Sequence, residues 1–272
     1  MWQNLARFAK FPLIDSIGAF TNNLAWQIPL LLLSVFFNQS VVGYYALANR
    51  TIQLPMALIG ASIGQVFFQR ASAARNDPQA LANVVLAVFD KLVGIMMIPA
   101  LLLTLVGQDL FIVALGKPWA EAGMYVQILG LWTFFWFISS PLSTLFSVLE
   151  YQGCALIVHL SILLTRTAAL VVGGANHNIE LALALFSASG VIVYGSMLIW
   201  LMKLSAVPLG AALDVLWRHG RYGLLFALAL LIIKWFGASN SALVLLASLG
   251  TAVLFYLWMF RASVNHLLAL YK

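Results

Sequence analysis

Charge is what this chain has least of. Asp, Glu, Lys and Arg make up 8% of its 272 residues, against about 25% in an average soluble domain. Apolar residues make up 63%, so the polar surface a soluble enzyme would need is missing and the soluble enzyme classes are excluded. Cysteine is nearly absent. Cys154 stands alone, which leaves no internal disulfide and no cysteine metal site. His159, His177, His219 and His266 are scattered without ligand spacing. There is no glycine-rich phosphate loop, nucleotide motif or low-complexity tract, so nothing calls for a cofactor or a metal. The formal charge of +6 is spread too thinly to give a nucleic acid a contiguous basic surface.

What fills the chain instead is long hydrophobic runs. A spanning helix needs about 20 mostly apolar residues, because the hydrocarbon core is about 30 Å thick and a helix rises about 1.5 Å per residue. Eight such runs are predicted: 11–37, 41–68, 81–106, 120–149, 155–173, 181–202, 222–236 and 242–260. The fold class is therefore all-α, a polytopic integral membrane bundle of about eight transmembrane helices. Placing the N-terminus inside puts Arg7, Lys10, Arg70, Arg75, Lys203, Arg218, Arg221, Arg261 and Lys272 in inner segments. Lys117 is then the only basic residue in an outer loop, with Lys234 near an outer helix end. That bias predicts an N-in, C-in topology.

The turns near 38–40, 150–154, 174–180 and 237–241 are tight. The connection 69–80 contains Arg70, Arg75 and Asn76-Asp77-Pro78, a helix start. The connection 203–221 contains Pro208, Asp214, Trp217 and Arg218 and suits a short interfacial helix. Gly107–Trp119 suits a structured outer loop anchored by its tryptophan. Residues 1–10 read as a cytoplasmic linker without a cleavable signal, 11–205 as a six-helix unit, and 206–272 as a connection followed by a trailing helix pair.

Polar side chains inside a membrane usually face a bundle interior or a water-filled path. In the first helix Ser16, Asn23, Gln27 and Ser34 fall within about 20° of one line at 100° per residue, with Asp15 and Asn22 flanking it. Interhelical hydrogen bonding and lining of a hydrophilic path are the two readings. The second helix carries Asn49, Arg50 and Gln53, then Pro55, Gly60 and Gly64. Arg50 lies about 14 Å from the outer end, and Arg166 is again near mid-depth, with His159 one heptad earlier. Two deep guanidiniums without obvious carboxylate partners suggest an anion, since guanidinium forks bind phosphate oxygens bidentately. Asp90 and Lys91 are read as interfacial, with proton relay as the alternative. Ser139-Ser140-Pro141, Ser143, Thr144 and Ser147 form a hydroxyl-rich face around a proline.

Phe11-Pro12-Leu13, the stretch Gly43 through Arg50 followed by Gln53-Leu54-Pro55, and Gln65 through Ser72 carry a family resemblance. So do Gly116 through Trp119 with Glu121-Ala122-Gly123, and Ile138 through Phe146. In order and spacing these resemble the polysaccharide-biosynthesis, or O-antigen, flippases, in the superfamily that includes multidrug and toxin extruders. The resemblance implies two six-helix lobes around a cavity, moving undecaprenyl-diphosphate-linked oligosaccharide across the bacterial inner membrane for surface polysaccharide. It covers about 10–205 and matches the second lobe only, with 1–10 looking like the inter-lobe linker. A fragment, a truncated product or half of a two-chain assembly is therefore expected.

On that resemblance, Arg50 and Arg166 would hold the diphosphate. Ser16, Asn23, Gln27, Asn49, Gln53, Ser140 and Thr144 would line the cavity, and Asp15 and Asp90 are candidates for ion coupling. Asp15 departs from the family's usual small hydroxyl residue, and Tyr151 follows Glu150 where a basic residue is common. Expected partners are the lipid-linked substrate, membrane lipids, a separate N-terminal lobe or a second copy, and polysaccharide assembly proteins. The alternatives are a cation-coupled multidrug exporter, which should show more carboxylates in its cavity, a membrane polymerase or ligase, which should have a large outer loop, and a non-transporting scaffold.

Overall fold

In the computed structural model, residues 2–237 and 240–270 are described, with side chains over 16–237 and 240–257. Ten α-helices account for nearly all of these residues, and no strand occurs among them. They are α1 (Trp2–Phe36), α2 (Gln39–Pro55), α3 (Ala61–Ala74), α4 (Pro78–Leu115), α5 (Ala120–Leu142), α6 (Leu145–Val148), α7 (Gln152–Ala175), α8 (Ile179–Leu204), α9 (Leu209–Gly237) and α10 (Ser241–Leu270). Among the described residues seven helical stretches are long and apolar enough to cross a membrane, and a shorter apolar stretch covers Ser241–Leu257. The expected polytopic all-α bundle is the observed one.

The turns are set by local chemistry. Asn38 caps α2 by accepting from the Val41 amide, Asp77 caps α4 through the amides of Gln79 and Ala80, and Asn178 caps α8 through Leu181. Pro78 sits in the first turn of α4, where its missing N–H costs nothing. Between α2 and α3 the chain stays helical but widens into a π-turn, Met56–Gly60. Pro55 lies immediately before it and cannot donate to the preceding turn, which explains the change of pitch.

Two sequence expectations about loops are corrected. Gly107 lies inside α4, which continues to Leu115, so the connection to α5 shrinks to Gly116 and a 3-10 turn at Lys117–Trp119. Gly107 is there for packing: a Cβ on the facing Gly123 of α5 would lie 2.6 Å from Gln108 Cα and 2.8 Å from the Gly107 carbonyl. The approach of α4 to α5 thus demands glycine at 123 and is tight at 107, where a Cβ would lie 3.1 Å from Gln127 Cγ and from the Gly123 carbonyl. Gly116, with φ of 94°, is the residue that ends the helix. Nor is there a separate interfacial helix in 203–221; after a turn at 205–208 the segment runs straight into α9. Residues 2–10 are helical and continuous with the rest of α1.

The main core joins α1 to α8, with Trp132, Tyr125, Phe137 and Phe186 among its fully buried side chains. A second core, Ile98, Val106, Phe226, Leu230, Val244, Leu245 and Ala252, fastens α9 and α10 to the C-terminal half of α4. Successive helices are antiparallel, so one end of the bundle collects the start of α1, the end of α3, the starts of α4, α7 and α9 and the end of α8. Arg75 pairs with Glu150 at that end at 3.1 Å. Arg70, Lys91, Lys203, Arg218 and Arg221 lie in the same half, whereas Lys117 and Lys234 lie in the other. Lys234 donates to the Leu105 carbonyl at 2.9 Å.

Candidate functional site

A concentration of polar side chains inside the bundle surrounds a cavity of about 560 Å³. Its walls come from α1, α2, the π-turn, α5 to α8, and it lies toward the end where Ser147 and Gln152 turn the chain. Gln53, Ser140 and Thr144, expected from the sequence to line a path, all border it. Asn22, Ser143, Gln152, His159 and Tyr194 join them.

The hydroxyls divide into two groups. Ser143 and Thr144 donate to the carbonyls of Ser140 and Pro141 at 2.6 and 2.9 Å, satisfying themselves within their own turn. Asn22, Gln53, Ser140, Gln152 and His159 make no side-chain hydrogen bond to any described residue, and the buried Nδ1 of His159 is without a partner. His159 packs against α1 at Gly18, where a Cβ would lie 3.4 Å from His159 Nδ1, an ordinary contact distance. Unpaired polar groups at membrane depth are costly unless something else satisfies them. The cavity is therefore built for a hydrogen-bonding guest or for water.

Arg166 is behind this cavity rather than in its wall. It is 1% exposed and enclosed by three rings, its guanidinium carbon 4.8 Å from the Trp26 centroid, 5.1 Å from Trp132 and 4.9 Å from Phe186. Nη1 donates to the Ala25 carbonyl at 3.0 Å and Nη2 to the Tyr194 hydroxyl at 3.3 Å, while Nε has no partner. No described carboxylate pairs with it. Trp26 and Tyr194, which hold it, themselves line the cavity. The charge thus reaches the cavity through two side chains. Gly190 makes the cage possible, since a Cβ there would lie 2.1 Å from Trp132 Cδ1.

The polar line on α1 faces the other way. Ser16, Asn23, Gln27 and Ser34 are all exposed, although Asn22, one residue from Asn23, points into the cavity. Arg50 is exposed on α2, and the neighbouring Asn49 is half-buried with Oδ1 unpartnered. The structure therefore has two polar regions where the sequence suggested one wall. They meet along α1. Asp90 belongs to neither: its carboxylate pairs with Arg218 and lies 2.8 Å from His219 Nε2, tying α4 to α9. Asp15 is outside the described side chains. No group of three metal-ligating side chains occurs among the described residues.

The sequence reading missed Tyr194 and the Trp26–Trp132 pair. Tyr194 was visible as a lone phenol in an apolar helix, but only contact with Arg166 gives it meaning.

Comparison with known proteins bears on the family. The model described as polysaccharide biosynthesis protein matches residues 2–124. Over that stretch the chain is similar to the polysaccharide biosynthesis proteins. The match takes in four of the five motif groups that carried the resemblance, and Ile138 through Phe146 lies beyond it. Among solved structures the chain is similar to the lipid II flippase MurJ in an inward closed conformation, with a TM-score of 0.62 and 15% identity. The likeness covers 97% of this chain and 56% of that one, so the chain spans about half of that flippase. At this identity the likeness is one of fold. None of the curated proteins matches the chain.

Proposed function

We propose that this chain is one lobe of a membrane transporter that moves a lipid-linked oligosaccharide, of the undecaprenyl-diphosphate class, across a bacterial inner membrane for surface polysaccharide synthesis. The observation that carries the reading is the cavity, where Asn22, Gln53, Ser140, Gln152 and His159 have no hydrogen-bond partner among the described residues. Sugars offer donors and acceptors in every direction, and a row of amides and hydroxyls suits them without demanding one glycan. The family match over 2–124 and the flippase-like fold support the same class.

In this reading the charges have different tasks. Arg166 fixes Tyr194 by donating to its oxygen, leaving the phenol proton free to turn toward an anionic group in the cavity. Arg50, exposed on α2, meets the diphosphate directly through its guanidinium fork. The exposed stripe of Ser16, Asn23, Gln27 and Ser34 faces a second lobe, carried on the same or another chain, across a hydrated path. Basic residues crowd the end holding the start of α1, which argues for that end being cytoplasmic. Outward movement of an anion is then favoured by about 2.3 kcal/mol per charge per 100 mV.

The test is the rate at which lipid-linked glycan becomes accessible to an impermeant glycosidase outside intact cells. The double substitution Asn22→Leu with Gln53→Leu should slow it by about tenfold or more, since each lost bond is worth roughly 1 kcal/mol. An unchanged rate at unchanged protein level would remove the cavity from the mechanism. No outward glycan dependent on the wild-type chain would sink the function itself.

A further inference from the structure

The exposed cations at the basic end are not equivalent. Arg75 is used by Glu150 and Arg218 by Asp90, but Arg70 and Lys91 form no ion pair with any described residue and border one groove of about 570 Å³ between α3 and α4. Its remaining walls are almost wholly apolar, with Ile63, Val66, Val84, Val88 and Ile95 along its length. Each helix directs Cβ toward its own N-terminus, and α3 and α4 run in opposite directions. The Cα–Cβ bonds of Arg70 and Lys91 therefore point toward one another along the groove that both residues border. Asp90 does not neutralise Lys91, because it faces α9, where Arg218 and His219 hold it.

The depth agrees with a headgroup. From Lys91 to the end of α4 at Leu115 the helix covers about 37 Å, and from His219 to Gly237 α9 covers about 28 Å, lengths near the hydrocarbon thickness. The level of Lys91, Arg218 and Arg221, with Trp217 72% exposed beside them, is thus a membrane boundary of the kind basic and tryptophan anchors mark. A phosphate lying there would meet two cations, and an acyl chain would continue past Val88 to Ile95.

We propose that the α3–α4 groove binds an anionic phospholipid of the leaflet at the basic end, its phosphate between Arg70 and Lys91 and one acyl chain in the apolar part. The occupant is a bilayer lipid, and the site is separate from the cavity that the transport reading uses.

The experiment is native mass spectrometry of the full chain, extracted in detergent and titrated with phosphatidylglycerol or with phosphatidylethanolamine of identical chains. Wild type should retain one phosphatidylglycerol in preference to phosphatidylethanolamine, and Arg70→Gln with Lys91→Gln should weaken that retention by about thirtyfold. Arg75→Gln, at the same end but outside the groove, should leave it unchanged. Ala87→Trp keeps both charges but fills the groove, and should abolish binding even if the charge variant folds poorly. Equal retention of the two lipids, or undiminished binding in both the charge and the filled-groove variants, overturns the proposal. So does one-for-one displacement of phosphatidylglycerol by undecaprenyl diphosphate, which would make the groove a substrate site.

Discussion

Arg166 and Ala25 stand 141 residues apart in the chain, yet Nη1 of the first donates to the carbonyl of the second at 3.0 Å. The bond fastens α7 to α1 at the level where Trp26 closes over the guanidinium. It also determines what removal of this arginine should do.

Arg166→Met should separate packing from charge. Methionine refills most of the cage with a flexible apolar chain, and replacing a desolvated charge by a hydrophobic residue is often neutral or stabilising. Thermal unfolding in detergent should show a change under about 1 kcal/mol, while transport falls sharply because Tyr194 is no longer held. Arg166→Ala should instead cost about 2–4 kcal/mol through the void it leaves. If Met and Ala lose stability equally, the ring cage is not what holds this side chain.

Two glycines of α7 should respond oppositely to alanine. At Gly173 a Cβ would lie 2.3 Å from Ala182 Cα, a backbone atom that cannot rotate away, so α7 and α8 must separate at a cost of about 1–3 kcal/mol. At Gly153 nothing lies within 4 Å, and alanine should stabilise by up to about 1 kcal/mol through helix propensity alone. Unfolding midpoints of the two variants check this.

Asp90→Asn tests whether this carboxylate couples an ion or positions α9. Its side chain is 35% exposed and its partner Arg218 53% exposed, so loss of the pair should cost no more than about 1 kcal/mol. The dependence of glycan export on external sodium or pH should stay as in wild type. A changed ion dependence would restore Asp90 as a coupling group.

Cysteine labelling tests the two faces of α1 and the orientation. In a Cys154→Ser background, Asn23→Cys and Gln27→Cys should react with a hydrophilic maleimide in the isolated chain, whereas Ala25→Cys and Leu33→Cys, both buried, should not. In intact cells Lys117→Cys should label from outside and Lys203→Cys only after permeabilisation. Labelling of Lys203→Cys from outside would reverse the topology.

Much of this protein was legible before any contact was known. Membrane spans follow from composition, because a backbone in lipid has to bond to itself and apolar runs of this length leave only helices. The caps at Asn38, Asp77 and Asn178, the break at Gly116 and the polar side chains of α1, α2 and α5 are local features, and local features can be read in order along the chain. The resemblance carried by Gly43 through Arg50 and Gln65 through Ser72 was legible for the same reason.

Partnership was not legible. Gly107 looked like a loop residue until Gly123 was seen opposite it, because a glycine needed for close approach and a glycine needed for a turn are the same residue to a sequence. Asn22 and Asn23 read as one polar wall, although 100° of rotation sends one into the cavity and leaves the other facing outward. Arg166 read as an open anion clamp because its cage comes from Trp26, Trp132, Phe186 and Tyr194, on three helices far apart in the chain. Composition and periodicity determined that this chain is a bundle of spanning helices with polar groups inside it. Only the packing of those helices decided which polar groups are satisfied and which are left free, since a hydrogen bond depends on distance in space, not on separation along the chain.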